Sequence, residues 1–214
     1  MRGGNVDNSL WAQALVHFET KAPGIAVPRR AALRRPHGII GRIIGADIAV
    51  TDIKAETRHA YLHVDARGVH VVDLATRSGT RVNGRPIVSA WLRPGDVIEI
   101  EGWEITLKDI QLNGYPIVPD ACDDDMLADS GDRPLAELAL VPRSRGASSW
   151  AVGSELIFLG LDEASRVRLG GGSPGELICA LLRGPACAYV IDLQSRRTRH
   201  NERIVRGAAR LAHG

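Results

Sequence analysis

Three kinds of side chain in this sequence invite a chemical reading: thiols, clustered carboxylates and guanidinium groups. Cys122, Cys179 and Cys187 are odd in number and form no CxxC pair. A zinc site or disulfide framework is therefore not expected, and a reducing compartment fits. Asp123, Asp124, Asp125 and Asp129 lie close together. Their spacing lacks the alternation and turn glycine of an EF-hand loop, so a solvated spacer is expected there and not a calcium site. His63 and His70 fall on strand positions and are expected to be exposed, not to pair around a metal. No nucleophile stands beside a base and no glycine-rich loop cradles a phosphate, so no catalytic residue, cofactor or metal is expected. What remains is recognition. Arg42 offers a planar fork of donors that suits a phosphate, and suits a surface ion pair equally well. Arg196, Arg197, Arg199, Arg203, Arg206 and Arg210 form a second group. No aromatic residues interleave with them for base stacking, so solvated loops and strand faces are expected.

The elements that must position these groups are short strands. Ala14 to Phe18 can form a first strand, and residues 21–37, rich in Pro and Arg, read as a loop. His59 to Val64 and Val69 to Leu74 are joined by an Ala66-Arg67-Gly68 turn. The clearest hairpin alternates Ile98 and Ile100 with Glu99 and Glu101, turns at Gly102, and alternates Trp103, Ile105 and Leu107 with Glu104, Thr106 and Lys108. Period 2 on both arms puts one apolar face inward. Trp91 and Trp103 are read as packing residues. No segment sustains a 3.6-residue period, so an all-β sandwich or barrel is expected.

The 214 residues carry a net charge of +2. Residues 111–134 hold six Asp against one Arg, and residues 135–214 hold eleven Arg against seven acids. That mixed balance makes no general case for nucleic-acid binding. No stretch of 18 apolar residues and no N-terminal apolar h-region is present, so neither a membrane span nor a secretory signal is expected, and a cytoplasmic location is. The preponderance of Arg over Lys hints at a GC-rich bacterial source.

An internal repeat follows the acidic stretch. Gly41-Arg42 through Val50 matches Gly160-Leu161 through Leu169, His59 to Leu62 matches Cys179 to Leu182, and Val71 to Leu74 matches Val190 to Leu193. Thr80 to Asn83 matches Thr198 to Asn201 after a one-residue deletion, and Leu92 matches Leu211. The expected organisation is thus a domain at 12–110, an acidic flexible linker at 111–134, and a second, degenerate copy at 135–214.

The first repeat resembles the forkhead-associated (FHA) domain. The elements that carry the resemblance are Gly41-Arg42, Glu56 to Ala60, Asp73-Leu74, Ser78-Gly79-Thr80, Val82-Asn83-Gly84, Leu92, and Pro94 to Ile98. It implies an antiparallel β-sandwich of the SMAD/FHA type with about eleven strands, in two tandem copies, whose loops at one end bind phosphothreonine in a partner protein. A phosphothreonine brings close to two negative charges and three acceptor oxygens. By resemblance, the phosphopeptide-binding candidates are Arg42, Thr57, Arg58, Arg77, Ser78 and Asn83. The loop-structural candidates are Gly41, His59, Gly79, Thr80 and Gly84, with Asp73 a local hydrogen-bond partner.

Two departures matter. Family members carry a Ser three residues before the His, where this chain has Glu56, and an Asn where it has Ser78. The second repeat has Leu161 in place of the binding Arg, lacks the Ser and the His, and ends at Gly214, which aligns with Gly95; the last two strands are expected to be missing. The leading expectation is a non-enzymatic, phosphothreonine-dependent adaptor acting through the first domain. The alternative is a phospho-independent interaction or scaffold module.

Overall fold

The computed structural model describes residues 13–113, 139–140, 150–151, 155–160, 165, 167–168, 177–183 and 188–211. The chain divides into two units, one of residues 11–123 and one of residues 1–10 with 124–214. Among the described residues every regular element is a strand.

The first unit contains eleven strands. They are β1 (Gln13–Lys21), β2 (Arg29–Leu33), β3 (His37–Gly41), β4 (Ile48–Ala49), β5 (Ala60–Asp65), β6 (Gly68–Asp73), β7 (Thr80–Val82), β8 (Arg85–Ile87), β9 (Ser89–Leu92), β10 (Val97–Ile100) and β11 (Trp103–Asn113). One sheet has the order β2-β1-β11-β10-β7-β8 and the other β4-β3-β5-β6-β9. Only β3 and β4 run parallel. A single core draws on both sheets: Val16, Phe18, Ile98, Ile100, Ile105 and Leu107 from the first, and Ile40, Ile48, Leu62, Val64, Val69 and Val71 from the second. Each such side chain contributes about 1.5–3 kcal/mol on full burial.

The β10–β11 hairpin follows the alternation in the sequence. Ile98 faces Ile105 and Ile100 faces Trp103, with Glu101 and Gly102 turning the chain at φ 49° and 75°. Two left-handed residues make the tight turn that matches strand twist. The strand then runs on to Asn113, into the start of the acidic stretch. Most of that stretch, with the aspartates at 123–125 and 129, lies outside the described residues.

Two expectations are corrected. Residues 21–37 are not all loop, because Arg29–Leu33 pair with β1 as an edge strand. Backbone hydrogen bonds to β1 create this strand, and its Arg-Arg-Ala-Ala pattern gives no alternation to read. His63 is also not exposed: it is 2% accessible, with Nε2 3.1 Å from the Asp65 carboxylate. His70 stacks on Trp91 at 4.6 Å, and the Arg67 guanidinium lies 4.5 Å over the same indole. Burial, helped by the neighbouring His63 and by the Arg67 guanidinium, lowers the His70 pKa to about 4. Burial, with the charge of Arg35, lowers buried His37 to about 3. Burial alone would raise Asp65, but hydrogen bonds from His63 and Arg67 hold it below the usual carboxylate range.

The second unit has a five-stranded sheet. It is built from β14 (Leu156–Gly160), β15 (Val167–Arg168), β16 (Leu177–Arg183), β17 (Ala188–Asp192) and β20 (Ala208–Leu211) in the order β15-β14-β16-β17-β20. Two short hairpins accompany it, β12 (Ala139–Leu140) with β13 (Trp150–Ala151), and β18 (Arg199–His200) with β19 (Arg203–Ile204). Ile157, Leu159, Cys179, Leu181, Val190 and Val205 form its core. Burial pushes the Cys179 thiol up to about 11, which leaves it a packing residue.

Candidate functional site

The candidate site is built on the loops that leave one end of the second sheet of the first unit. Strand β3 ends at Gly41, and the chain returns through residues 50–59 beside it. Arg42 N donates to Glu56 O at 3.1 Å, Ile43 N to Thr57 O at 2.9 Å, and His59 N to Ile40 O at 2.8 Å. This close approach requires the glycine. A Cβ at Gly41 would sit 2.5 Å from Thr57 O and 3.0 Å from His59 N. The outgoing loop is pinned at its far end by Asp47, whose carboxylate accepts from Arg35 and from Ile39 N at 2.9 Å each.

His59 ties this pair of loops to the next. It is fully buried, and its Nδ1 accepts the Glu56 N–H at 3.2 Å. The ring proton therefore sits on Nε2, which donates to Gly79 O at 3.0 Å and lies 3.1 Å from Thr76 Oγ1. Behind it, Asp73 accepts the hydroxyls of Thr76 at 2.8 Å and Thr80 at 2.6 Å, and the Thr76 N–H at 3.0 Å. Each link is worth about 0.5–1.5 kcal/mol net, and an orphaned buried partner costs about 1–3 kcal/mol. Thr76 escaped the sequence reading, although an Asp followed three residues later by Thr is a local pattern for side-chain capping of a turn.

The exposed groups stand on this brace. Arg42, Glu56, Thr57, Arg77 and Ser78 are exposed, Arg58 is half-buried, and Gly79 turns the loop at φ 72°. Arg42 Nε donates to Ala55 O at 3.2 Å, which fixes the plane of the guanidinium. Among the described residues no ion pair joins Arg42 to the Glu56 carboxylate. Asn83, in the turn between β7 and β8, has φ 50° and Gly84 has φ 79°. Its side chain works within the domain: Oδ1 accepts from Val97 N at 2.9 Å and Nδ2 donates to Asp96 at 2.8 Å. Asn83 thus locks its turn to the start of β10 and keeps one Nδ2 hydrogen for a ligand. The six binding candidates therefore lie on three loops of one domain and one hairpin turn, and His59 joins two of those loops directly.

Beside Ser78 and Gly79 lies a cleft of about 290 Å³, lined further by Arg81, Ile100, Trp103 and the carboxylates of Glu99, Glu101 and Glu104. Glu99 accepts the Gly84 N–H at 2.6 Å and Glu104 pairs with Lys21 at 3.4 Å. These acids therefore carry part of the hairpin scaffold.

Part of this chain is similar to known proteins. The family model described as FHA domain matches residues 38–101. A glycogen accumulation regulator, GarA, from Mycolicibacterium smegmatis is 35% identical over 71 residues, 33% of this chain and 45% of that protein. GarA from Mycobacterium tuberculosis is 37% identical over 60 residues, 28% of this chain and 37% of that protein. The chain thus spans less than half the length of these curated relatives. Among solved structures, one from an analysis of phosphothreonine-dependent FHA domain interactions is 28% identical with a TM-score of 0.40, covering 44% of this chain and 96% of its own. The FhaA FHA domain complexed with the intracellular domain of Rv3910 is 29% identical with a TM-score of 0.39, covering 44% and 99%. No helix among the described residues is long and apolar enough to cross a membrane. With its loops, glycines and buried histidine in place, the segment from residue 38 to residue 101 is an FHA domain.

Proposed function

We propose that the FHA domain is a phosphothreonine-dependent, non-enzymatic protein-binding module and that the chain acts as an adaptor. The observation that carries this reading is Arg42. Its guanidinium is exposed at the loop end, held by one bond from Nε, and in no ion pair with the neighbouring Glu56. Its Nη groups can meet a phosphate in the two-pronged geometry that makes charge-assisted hydrogen bonds strong. In this reading Thr57 supplies a hydroxyl, Arg58 and Arg77 add positive field, and Ser78 and Asn83 hold the ligand backbone. His59, Gly41, Gly79, Thr80 and Gly84 shape the loops. The partner is a protein phosphorylated on threonine.

We further read the second unit as a degenerate FHA-like copy. What supports this is register. In β5–β6, Ala60 pairs with Asp73 and Val64 with Val69; in β16–β17, Cys179 pairs with Asp192 and Arg183 with Ala188, each residue 119 positions on. The parallel pair of Ile40 with Ile48 recurs as Leu159 with Val167 at the same offset. The pair of Val82 with Arg85 recurs as His200 with Arg203, 118 positions on. The strand order of the sheet is also the same in both.

The test is a calorimetric titration of the 214-residue chain with a phosphothreonine peptide pool and its unphosphorylated counterpart. Phosphate-dependent binding that Arg42→Ala abolishes is the expected result. Binding indifferent to phosphorylation would favour the scaffold reading instead.

A further inference from the structure

Residues 193–211 of the second unit contain six arginines, one acid (Glu202) and no Phe, Tyr or Trp. All six arginines are exposed. They are not spread evenly. Asp192 N donates to Gly207 O at 2.7 Å and Val205 N to Thr198 O at 2.9 Å. Those bonds set the loop carrying Arg196 and Arg197 against the segment carrying Arg203 and Arg206. Arg199 lies on β18, where it pairs with Ile204 while His200 pairs with Arg203, so its side chain leaves the opposite face of that hairpin from Arg203. Four like charges, those of Arg196, Arg197, Arg203 and Arg206, are thus gathered on two adjoining segments, with Glu202 the one acid in residues 193–211.

The loop beneath them is built, not slack. Asp192 is 8% exposed and accepts the hydroxyls of Ser195 and, at 2.7 Å, Thr198, together with the Arg196 N–H at 3.2 Å. It forces Gln194 and Arg196 into left-handed conformations, with φ 62° and 56°. That conformation is unusual for an arginine, and its effect is to fix where the side chain leaves the loop. A buried polar anchor that holds arginines in a strained loop is an arrangement suited to an oxyanion ligand.

We propose that the Arg196–Arg197–Arg203–Arg206 surface is a second binding site, separate from the FHA loops, for an acidic protein segment whose oxyanions the guanidinium forks grip. This goes beyond the adaptor reading and does not depend on it. A protein segment is favoured over nucleic acid for two reasons. Residues 193–211 carry no Phe, Tyr or Trp on which a base can stack. The net charge of the chain is also only +2, which gives no strong basic field of the kind that draws nucleic acid.

The test uses the 214-residue chain with Arg42→Ala, so that the FHA loops contribute nothing. It is titrated at low and at physiological salt with a ten-residue glutamate-rich peptide, the same peptide carrying two phosphoserines, and a short DNA duplex. The expected result is saturable peptide binding that weakens with salt and falls at least tenfold when Arg196→Ser, Arg197→Ser and Arg203→Ser are combined. Tighter binding of the phosphoserine peptide assigns the site to phosphate, and equal binding assigns it to carboxylates. In wild-type Arg42 background, the triple variant should bind a phosphothreonine peptide as the unmodified chain does, so failure of the two readings is scored separately. The proposal is overturned if neither peptide binds at low salt, if the triple variant binds as tightly as its parent, or if duplex binds more tightly than both peptides.

Discussion

The FHA domain and the second unit brace a loop in the same way and finish it differently. Asp73 gathers the hydroxyls of Thr76 and Thr80, and Asp192 gathers those of Ser195 and Thr198. Leu74 N reaches His59 O in one, and Leu193 N reaches Ile178 O in the other, both at 3.1 Å. Above the brace the chemistry separates. The first loop end carries Arg42 on the strand exit and a histidine that ties two loops together. In the second, Ile178 stands where the histidine does, one residue before the Cys179 of the sequence match, and the braced loop carries Arg196 and Arg197 where the first carries Arg77 and Ser78. The difference teaches that the brace and the recognition groups answer to different constraints. A buried carboxylate with its hydroxyl partners cannot lose one member cheaply, whereas exposed groups can be exchanged at little cost to the fold.

The comparison can be broken most decisively at the charges. Arg42→Ala should reduce phosphopeptide affinity at least a hundredfold and leave the acidic-peptide site intact, while the Arg196, Arg197, Arg203 triple variant should do the reverse; paired titrations measure both. Next comes the brace. Asp73→Ala and Asp192→Ala each remove the shared acceptor of two hydroxyls and a backbone N–H, so each should destabilise its own unit by about 2–4 kcal/mol, read by hydrogen exchange resolved along the chain. Equal protection of both units in either variant would show that the two braces are not equivalent local anchors.

A smaller effect sharpens the phosphate reading. In the adaptor reading Glu56 stands where the FHA resemblance implies a Ser, and like charges about 4 Å apart repel by about 4 kcal/mol at an effective dielectric near 20. Glu56→Ser should therefore tighten phosphothreonine-peptide binding about tenfold or more. If affinity is unchanged, the Glu56 carboxylate faces solvent in the complex and Thr57 is the working hydroxyl.

The smallest effect is on acid stability. His70 and His37 are held neutral by burial, with folded-state pKa values of about 4 and about 3. A histidine whose folded pKa lies below its unfolded value of about 6.5 binds its proton first in the unfolded chain. Stability is thus complete above about pH 6.5 and falls as pH drops toward 4, by roughly 1–3 kcal/mol for each histidine. His70→Gln should flatten part of that slope in melts followed across this range. The second unit contributes no buried histidine among its described residues, so its own melt should be the less acid-sensitive.

Much of the fold was legible because side-chain alternation reports which face of a strand is buried. Ile98, Ile100, Ile105 and Leu107 point inward as their spacing predicts. Strand β2 was not legible, since an edge strand is made by backbone pairing and its residues face solvent freely. His63 was misread for the opposite reason: period 2 assigns it to the outer face, and alternation cannot say whether an outer face is open. The loop residues were legible only as an array at characteristic spacing. Their bonding was not: that Asn83 spends its amide on Asp96 and Val97, and that Thr76 joins Asp73 to His59, depends on which loops fold against each other.

One feature of the first sheet has a mechanical consequence. Strands β1 and β11 are antiparallel neighbours, with Gln13 opposite Asn113. The chain therefore enters and leaves the domain side by side. Tension applied through the two flanks loads this pair from one end, bond after bond, and does not load its hydrogen bonds together. The domain should thus yield by unzipping at low force, and its flanks can be tied closely together, or spliced into a loop of another protein, without disturbing the recognition end.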